Sequence, residues 1–304
     1  MRVAAVQTTA GPDRDENLAA ATVLVDEAVG DGARLVVLPE LFSVAGSPDH
    51  LRTHAEPRRG PTARWAAASA ARHGILLLAG SFPERSESED VVYNTSILFD
   101  PEGEQIAVYR KMHLFDVRLD DTEVRESATF TPGRDLCVAR LGPGVTLGLS
   151  TCYDVRFPEL ARILTLRGAT VLAVPSAFTA ATGPAHWELL LRARAVENQV
   201  YVVAAGQHGR LPPGMPACHG HSMIVDPWGE IVAERHEPGP GVVVADLDAA
   251  RLDRVRAELP VLAHRRPDAY VWPDVGGDRR RAGVANRSRG AGRGAGRRAE
   301  RDRT

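Results

Sequence analysis

Leu35-Val36-Val37-Leu38-Pro39-Glu40 decides how the rest of the chain is read. Five apolar residues in succession, with no polar position between them, describe a strand covered on both faces rather than one with a wet side. Such a strand needs a layer above it and a layer below. Glu40 closes the run at the strand's carboxyl end, the edge at which α/β proteins assemble their sites. Taken alone, a carboxylate there is an ordinary loop acid.

Working outward, Arg2–Thr9 reads as an apolar strand, and Asn17–Val29 has helical periodicity that stops at Gly30-Asp31-Gly32. Beyond the run, a helix over Ala63–His73 leads to a strand over Ile75–Gly80. Strands Val91–Phe99 and Gln105–Tyr109 flank the hairpin turn Asp100-Pro101-Glu102-Gly103. The second half has the same style without repeating the sequence. Strands are expected over Val145–Ser150, Val171–Val174 and Val200–Ala205, with helices over Pro158–Arg167 and His186–Asn198 between them. A hairpin follows, Ser222–Val225 and Ile231–Glu234 around Asp226-Pro227-Trp228-Gly229, and Val242–Ala245 and a helix over Leu252–Leu259 close the pattern. Strands alternating with helices and hairpins imply an α/β fold of mixed sheets with helices outside. Nothing rich in Pro, Gly or Ser divides this body, so one domain is expected over residues 1–273. Residues 274–304 are Gly, Ala and Arg with almost no apolar mass, the composition of a disordered tail.

The 304 residues are 44% hydrophobic and 25% charged, an ordinary composition with enough apolar mass for a sizeable core. The net charge of −2 implies no polyanionic partner for the whole chain. Its distribution is uneven. Residues 275–304 hold ten Arg against three acids, a net +7 that leaves −9 on residues 1–274. The tail could touch nucleic acid, but it has no aromatic side chain to stack on bases, so nucleic acid is not the expected partner. Cys137, Cys152 and Cys218 are too few and too scattered for a disulfide framework. Met1-Arg2-Val3 runs straight into a strand-like segment, which argues against a secretory signal. No stretch reaches the about 18 unbroken apolar residues of a membrane span. A cytoplasmic, enzyme-sized protein is the expectation.

Of 37 Lys+Arg residues, 36 are Arg and one, Lys111, is Lys. A chain so committed to Arg keeps a lysine by chance, or where a compact ammonium able to release its proton is needed and a planar, permanently charged guanidinium cannot serve. Lys111 follows the strand ending at Tyr109. Cys152 lies in Gly148-Leu-Ser-Thr-Cys-Tyr-Asp-Val-Arg-Phe-Pro-Glu-Leu160, where a strand gives way to a helix opened by Pro158. Backbone N–H groups at such a junction lower a thiol's pKa and can hold an oxyanion, although the commonest fate of a free cysteine is an inert place in the core. Glu40, Lys111 and Cys152 thus each sit just past a strand. Their types make a general base, an electrostatic stabiliser and a nucleophile, a set that needs no metal or organic cofactor. Spacing alone does not bring them together.

Leu38-Pro-Glu-Leu41, Tyr109-Arg-Lys-Met-His-Leu-Phe115 and Cys152-Tyr-Asp-Val-Arg-Phe-Pro-Glu-Leu160 resemble, in order, the three signatures of the nitrilase superfamily of carbon–nitrogen hydrolases. The resemblance covers nearly all of residues 1–272. It implies an α-β-β-α sandwich of two mixed sheets, a catalytic triad of Glu40, Lys111 and Cys152, and association as dimers or higher forms through outer helices. Pro175-Ser-Ala-Phe-Thr-Ala-Ala-Thr-Gly-Pro-Ala-His-Trp187 and Gly220-His-Ser-Met-Ile-Val-Asp-Pro-Trp-Gly229 are similar to the Nit branch, whose activities are hydrolysis of deaminated glutathione and of omega-amides of 2-oxo acids. Ser176, Arg192-Ala-Arg-Ala195 and Leu259-Pro-Val-Leu-Ala-His-Arg-Arg-Pro-Asp268 lean towards the first.

The expectation is therefore a thiol amidase acting on a small amide that carries a carboxylate. Other amides and N-carbamoyl amino acids stay open within the superfamily; a nucleic-acid-binding protein acting through its Arg tail is the rival from another class. The branch resemblance points to Arg156, Phe178 and Thr182 as substrate-pocket residues, with Arg156 suited to a bidentate carboxylate pair. It also points to Glu126, in Arg125-Glu-Ser-Ala-Thr-Phe, as a second carboxylate that orients Lys111 or the hydrolytic water. His113 is assigned to shaping its loop, His186 to a helix start and Cys137 to the core. Cys218-His-Gly-His221 lacks a partner cluster with ligand spacing, so no metal is expected there.

Overall fold

The computed structural model describes residues 1–87, 91–119 and 122–270. Residues Met1–His264 gather into one compact unit, from which the described residues after His264 are separate. The basic tail expected over 274–304 lies outside the described residues.

In chain order the first half runs β1 (Arg2–Gln7), α1 (Arg14–Gly30), β2 (Leu35–Val37), α2 (Pro48–Thr53), α3 (Pro61–His73), β3 (Leu76–Arg85), β4 (Val92–Phe99), β5 (Gln105–Arg110), β6 (Asp116–Leu119) and β7 (Thr122–Arg125). The second half runs β8 (Val138–Gly142), β9 (Val145–Leu149), α4 (Pro158–Leu166), β10 (Val171–Ser176), α5 (Gly183–Asn198), β11 (Tyr201–Gly206), β12 (His208–Gly209), β13 (Cys218–His219), β14 (Met223–Val225), β15 (Ile231–Glu234), β16 (Gly241–Asp246) and α6 (Ala249–Glu258).

Two six-stranded sheets result, in the orders β16-β1-β2-β3-β4-β5 and β15-β14-β11-β10-β9-β8. Each has a parallel centre, β1-β2-β3 and β9-β10-β11, with antiparallel strands outside it. The opening run separates the layers by simple alternation. Leu35 and Val37 enter the core between the sheets, with Val3, Ala5 and Leu78 from their own sheet and Leu147, Ala173 and Val203 from the other. Val36 and Leu38 face the opposite way, onto Leu24 and Val25 of α1 and Ala66 and Ala70 of α3. On the far side, Val174, Val202 and Ala204 pack against Leu164 of α4 and Trp187 and Leu191 of α5. The order of layers is helix, sheet, sheet, helix, as the family resemblance implies. Among the described residues no helix is long and apolar enough to cross a membrane.

Local chemistry sets the ends of the elements. The Asp13 side chain accepts from the Asp15 and Glu16 N–H groups at the start of α1, and Gly74 closes α3 in the left-handed region. Pro158 and Pro184 sit in the first turns of α4 and α5. Two expectations change. The strand expected to stop at Gly80 continues to Arg85 through an irregularity of pairing between Ala79 and Phe82. Helix α2, the hairpins β6-β7 and β12-β13 and strand β8 were not anticipated, because each is only two to six residues long.

Candidate active site

Four connections converge on one site. Glu40 follows β2, Lys111 follows β5, Glu126 opens a short 3-10 turn after β7, and Cys152 opens another after β9. Close backbone approach makes two of these connections possible. A side chain at Gly80 would overlap the Pro39 carbonyl oxygen, and one at Gly133 would overlap that of Arg110. Leu41 and Cys152 are both non-glycine residues in the left-handed region, with φ of 52° and 49°. The Ser81 hydroxyl accepts the Leu41 N–H at 3.0 Å, and Gln207 Nε2 donates to the Glu40 carbonyl at 3.0 Å.

The side chains meet in a buried polar cluster. Lys111 Nζ donates to Glu40 Oε1 at 2.9 Å and to Glu126 Oε1 and Oε2 at 2.9 and 2.7 Å. The Ala177 N–H donates to Glu40 Oε2 at 2.7 Å, and the Phe115 N–H to Glu126 Oε2 at 2.7 Å. Cys152 lines the same cavity as Glu40, Lys111 and Glu126. Asn94, which sequence reasoning passed over, places Nδ2 2.8 Å from Glu40 Oε1 and 3.2 Å from Glu126 Oε1. A signal for it existed: Asn94-Thr95-Ser96 is a fully buried polar triplet inside an otherwise apolar strand.

Burial governs the protonation states. It would lower the Lys111 ammonium's pKa, but Glu126 and Glu40 outweigh it and hold the ammonium well above its ordinary value. Burial pushes the Cys152 thiol well up, the Glu40 charge adds to this, and Lys111 only partly offsets it. The expectation of a thiol lowered by its helix junction is therefore corrected. The resting sulfur keeps its proton, and a base must remove it. Glu126 is raised too, by burial first, with Lys111 opposing.

A second network fixes the nucleophile's turn. Asp154 Oδ2 accepts the Tyr109 hydroxyl at 2.6 Å and the Thr151 N–H at 2.8 Å, closing a capping box across Cys152. Asp154 Oδ1 accepts the His113 N–H at 3.0 Å and lies 2.7 Å from His113 Nδ1, while the His113 ring stacks on Phe157. His113 thus shapes its loop, as expected.

Cys152 stands between two spaces. One is a cavity of about 320 Å³, lined by Glu40, Lys111 and Glu126 together with the apolar residues Leu41, Phe130 and Met215. The other is a narrow cleft that holds Arg156, Phe178 and Thr182. Arg156 lies in the 3-10 turn before α4, half-buried, with its guanidinium carbon 4.9 Å from the centre of the Phe178 ring. Its hydrogen-bond partners are Thr182 Oγ1 at 3.3 Å and His186 Nδ1 at 3.2 Å; among the described residues no carboxylate pairs with it. His186, read as a helix-start residue, lies in the first turn of α5 and meets Arg156 there. Cys218 lines the larger cavity and Cys137 packs at the edge of the core between the sheets. The Cys218–His221 segment does not converge on a point. His221 instead lies near Glu234 and His236, their ligand atoms within 4.8 Å of one another, away from both spaces; Glu234 lies within hydrogen-bond distance of both rings.

The sequence matches the carbon–nitrogen hydrolase family model over residues 2–257. It is 44% identical over 273 residues to deaminated glutathione amidase of Bos taurus, covering 88% of this chain and 83% of that one. It is 39% identical over 270 residues to the omega-amidase of Danio rerio, covering 88% and 96%. Among solved structures, Saccharomyces cerevisiae Nit3, a member of branch 10 of the nitrilase superfamily, superposes with a TM-score of 0.78 at 35% identity, over 89% of this chain and 97% of that one. With a layered fold and a buried Glu, Lys, Glu and Cys cluster to match, the chain belongs to the carbon–nitrogen hydrolase family, within the nitrilase superfamily.

Proposed function

We propose that this carbon–nitrogen hydrolase is a thiol amidase acting on a 2-oxo dicarboxylate-type amide, with deaminated glutathione as the substrate. Glu40 takes the proton from Cys152, and the thiolate attacks the amide carbonyl. Lys111 and the N–H groups that open the 3-10 turn hold the resulting oxyanion. Glu40 returns the proton to the departing amine, leaving an acyl-thioester on Cys152. A water then gives its proton to Glu40 and attacks the thioester, and Glu126 keeps Lys111 and that water in place. The acid departs and the thiol is restored, with no metal or cofactor in any step.

Arg156 carries the substrate assignment. A half-buried guanidinium beside the nucleophile, with no protein carboxylate of its own among the described residues, suits the carboxylate of the acyl part. Deaminated glutathione and 2-oxoglutaramate share that acyl part and differ in the leaving group, a dipeptide or ammonia. The larger, mostly apolar cavity on the other side of Cys152 favours the dipeptide. The test is hydrolysis of the two compounds side by side, with Cys152→Ala as the blank. Deaminated glutathione is expected to be the faster, and Arg156→Leu to raise its KM about tenfold or more with a smaller change in kcat. Preference for 2-oxoglutaramate would move the assignment to an omega-amidase; activity on neither would move it to N-carbamoyl or other aliphatic amides. The same reading places the protein in the cytoplasm, as a homodimer or higher homo-oligomer formed through its outer helices.

A further inference from the structure

We propose that Asn94 is a positioning residue of this reaction: its side-chain amide clamps the Glu40 and Glu126 carboxylates on either side of Lys111 and holds Glu40 in place for the Cys152 proton. The proposal rests on the reading of Glu40 as the base that serves Cys152.

The cluster sets two carboxylates against one ammonium. Charged or titratable groups face Glu40 from every side: Lys111 after β5, Glu126 after β7, Cys152 after β9 and Cys218 on β13. A second cation would neutralise the excess anion but would also compete with Lys111 for the oxyanion. A neutral donor avoids that. Asn94 is the one uncharged side chain among the described residues that touches both carboxylates, and it does so at the two oxygens that Lys111 also holds.

The orientation of the amide follows from chemistry. Turning it over would set Oδ1 against two carboxylate oxygens. In the orientation present, Oδ1 is buried and has no hydrogen-bond partner among the described residues. An orphaned buried acceptor is costly, and an apolar side chain of similar size would carry no such cost. What an apolar side chain would lack is the pair of N–H donors. The mount is rigid as well. Asn94 is buried on β4, pairs with Pro83 of β3, and its carbonyl accepts the Lys111 N–H at 2.8 Å. One residue therefore holds both carboxylates by its side chain and the lysine's backbone by its carbonyl.

The test uses the full chain with Asn94→Ala and Asn94→Asp. Its first readout is the pH dependence of Cys152 alkylation by iodoacetamide, followed by mass at that residue. It needs no amide substrate, so a wrong substrate assignment leaves it intact. In Asn94→Ala the acid limb of alkylation is expected to move up by roughly one pH unit, and kcat to fall about 10- to 100-fold with KM within about threefold. Asn94→Asp has the same shape but no N–H to give while ionised, so it is expected to show the same deficit. An alkylation profile superimposable on that of the unmodified chain, or full activity in Asn94→Asp, would overturn the proposal. If Asn94→Ala does not fold, as judged by its thermal transition, the Asn94→Asp comparison decides alone.

Discussion

Lys111 shows how far one residue's chemistry can be read from composition. Its survival in a chain of arginines suggested a role that a guanidinium cannot fill, and the structure buries its ammonium between three carboxylate oxygens at 2.7–2.9 Å. A guanidinium at the same place is too wide for that gap and too distributed in charge for one oxyanion. Lys111→Arg is therefore expected to lower kcat by about 10²-fold or more, measured in steady state with folding checked by circular dichroism. Glu40, Lys111 and Cys152 were legible because each follows a strand and belongs to a recognisable signature. Asn94 left a weaker mark, a polar triplet within an apolar strand, and the partners it meets are set by the register of β4 against its neighbours, which sequence does not display. The protonated state of Cys152 was hidden for a related reason: the degree of burial at a helix junction is a tertiary property.

Elements, rather than side chains, aim the base. Strand β3 is irregular between Ala79 and Phe82, and the extra length sets Gly80 beneath Pro39 and the Ser81 hydroxyl against the Leu41 N–H. The sequence reading ended the strand at Gly80; here that glycine is the point where one backbone passes over another. Gly80→Ala should push the Pro39 carbonyl aside and Glu40 with it. The expected result is a loss of about 1–3 kcal/mol of stability in urea melts. A lower kcat should accompany it, with KM little changed, since the Arg156 cleft is built on other elements. A variant that lost stability but kept full kcat would show that Glu40 is aimed by something else. The layers on either side of β2 were legible because the unbroken apolar run at 35–38 requires material on both faces; β6-β7 and β8 were too short to announce themselves.

At the scale of the whole molecule, the outer face of α4 and α5 is more apolar than solvent favours. Leu189 is 66% exposed, Leu166 50% and Val196 47%, and Trp228 stands nearby at 49%. A second copy laid against this face would cover them. Leu189→Asp is expected to shift the protein towards the monomer in sedimentation at micromolar concentration, with its alkylation profile at Cys152 unchanged. A mass equal to that of the monomer before the substitution would refute the proposed assembly. The rest of the surface has a simpler property. With one lysine against 36 arginines, and its ε-amine buried against the Glu40 and Glu126 carboxylates, no lysine side chain of the folded body is open to amine-directed reagents. Acylating tags, crosslinkers and enzymes that mark lysine find no lysine to act on until it opens. Uptake of a label at Lys111 thus counts unfolded molecules.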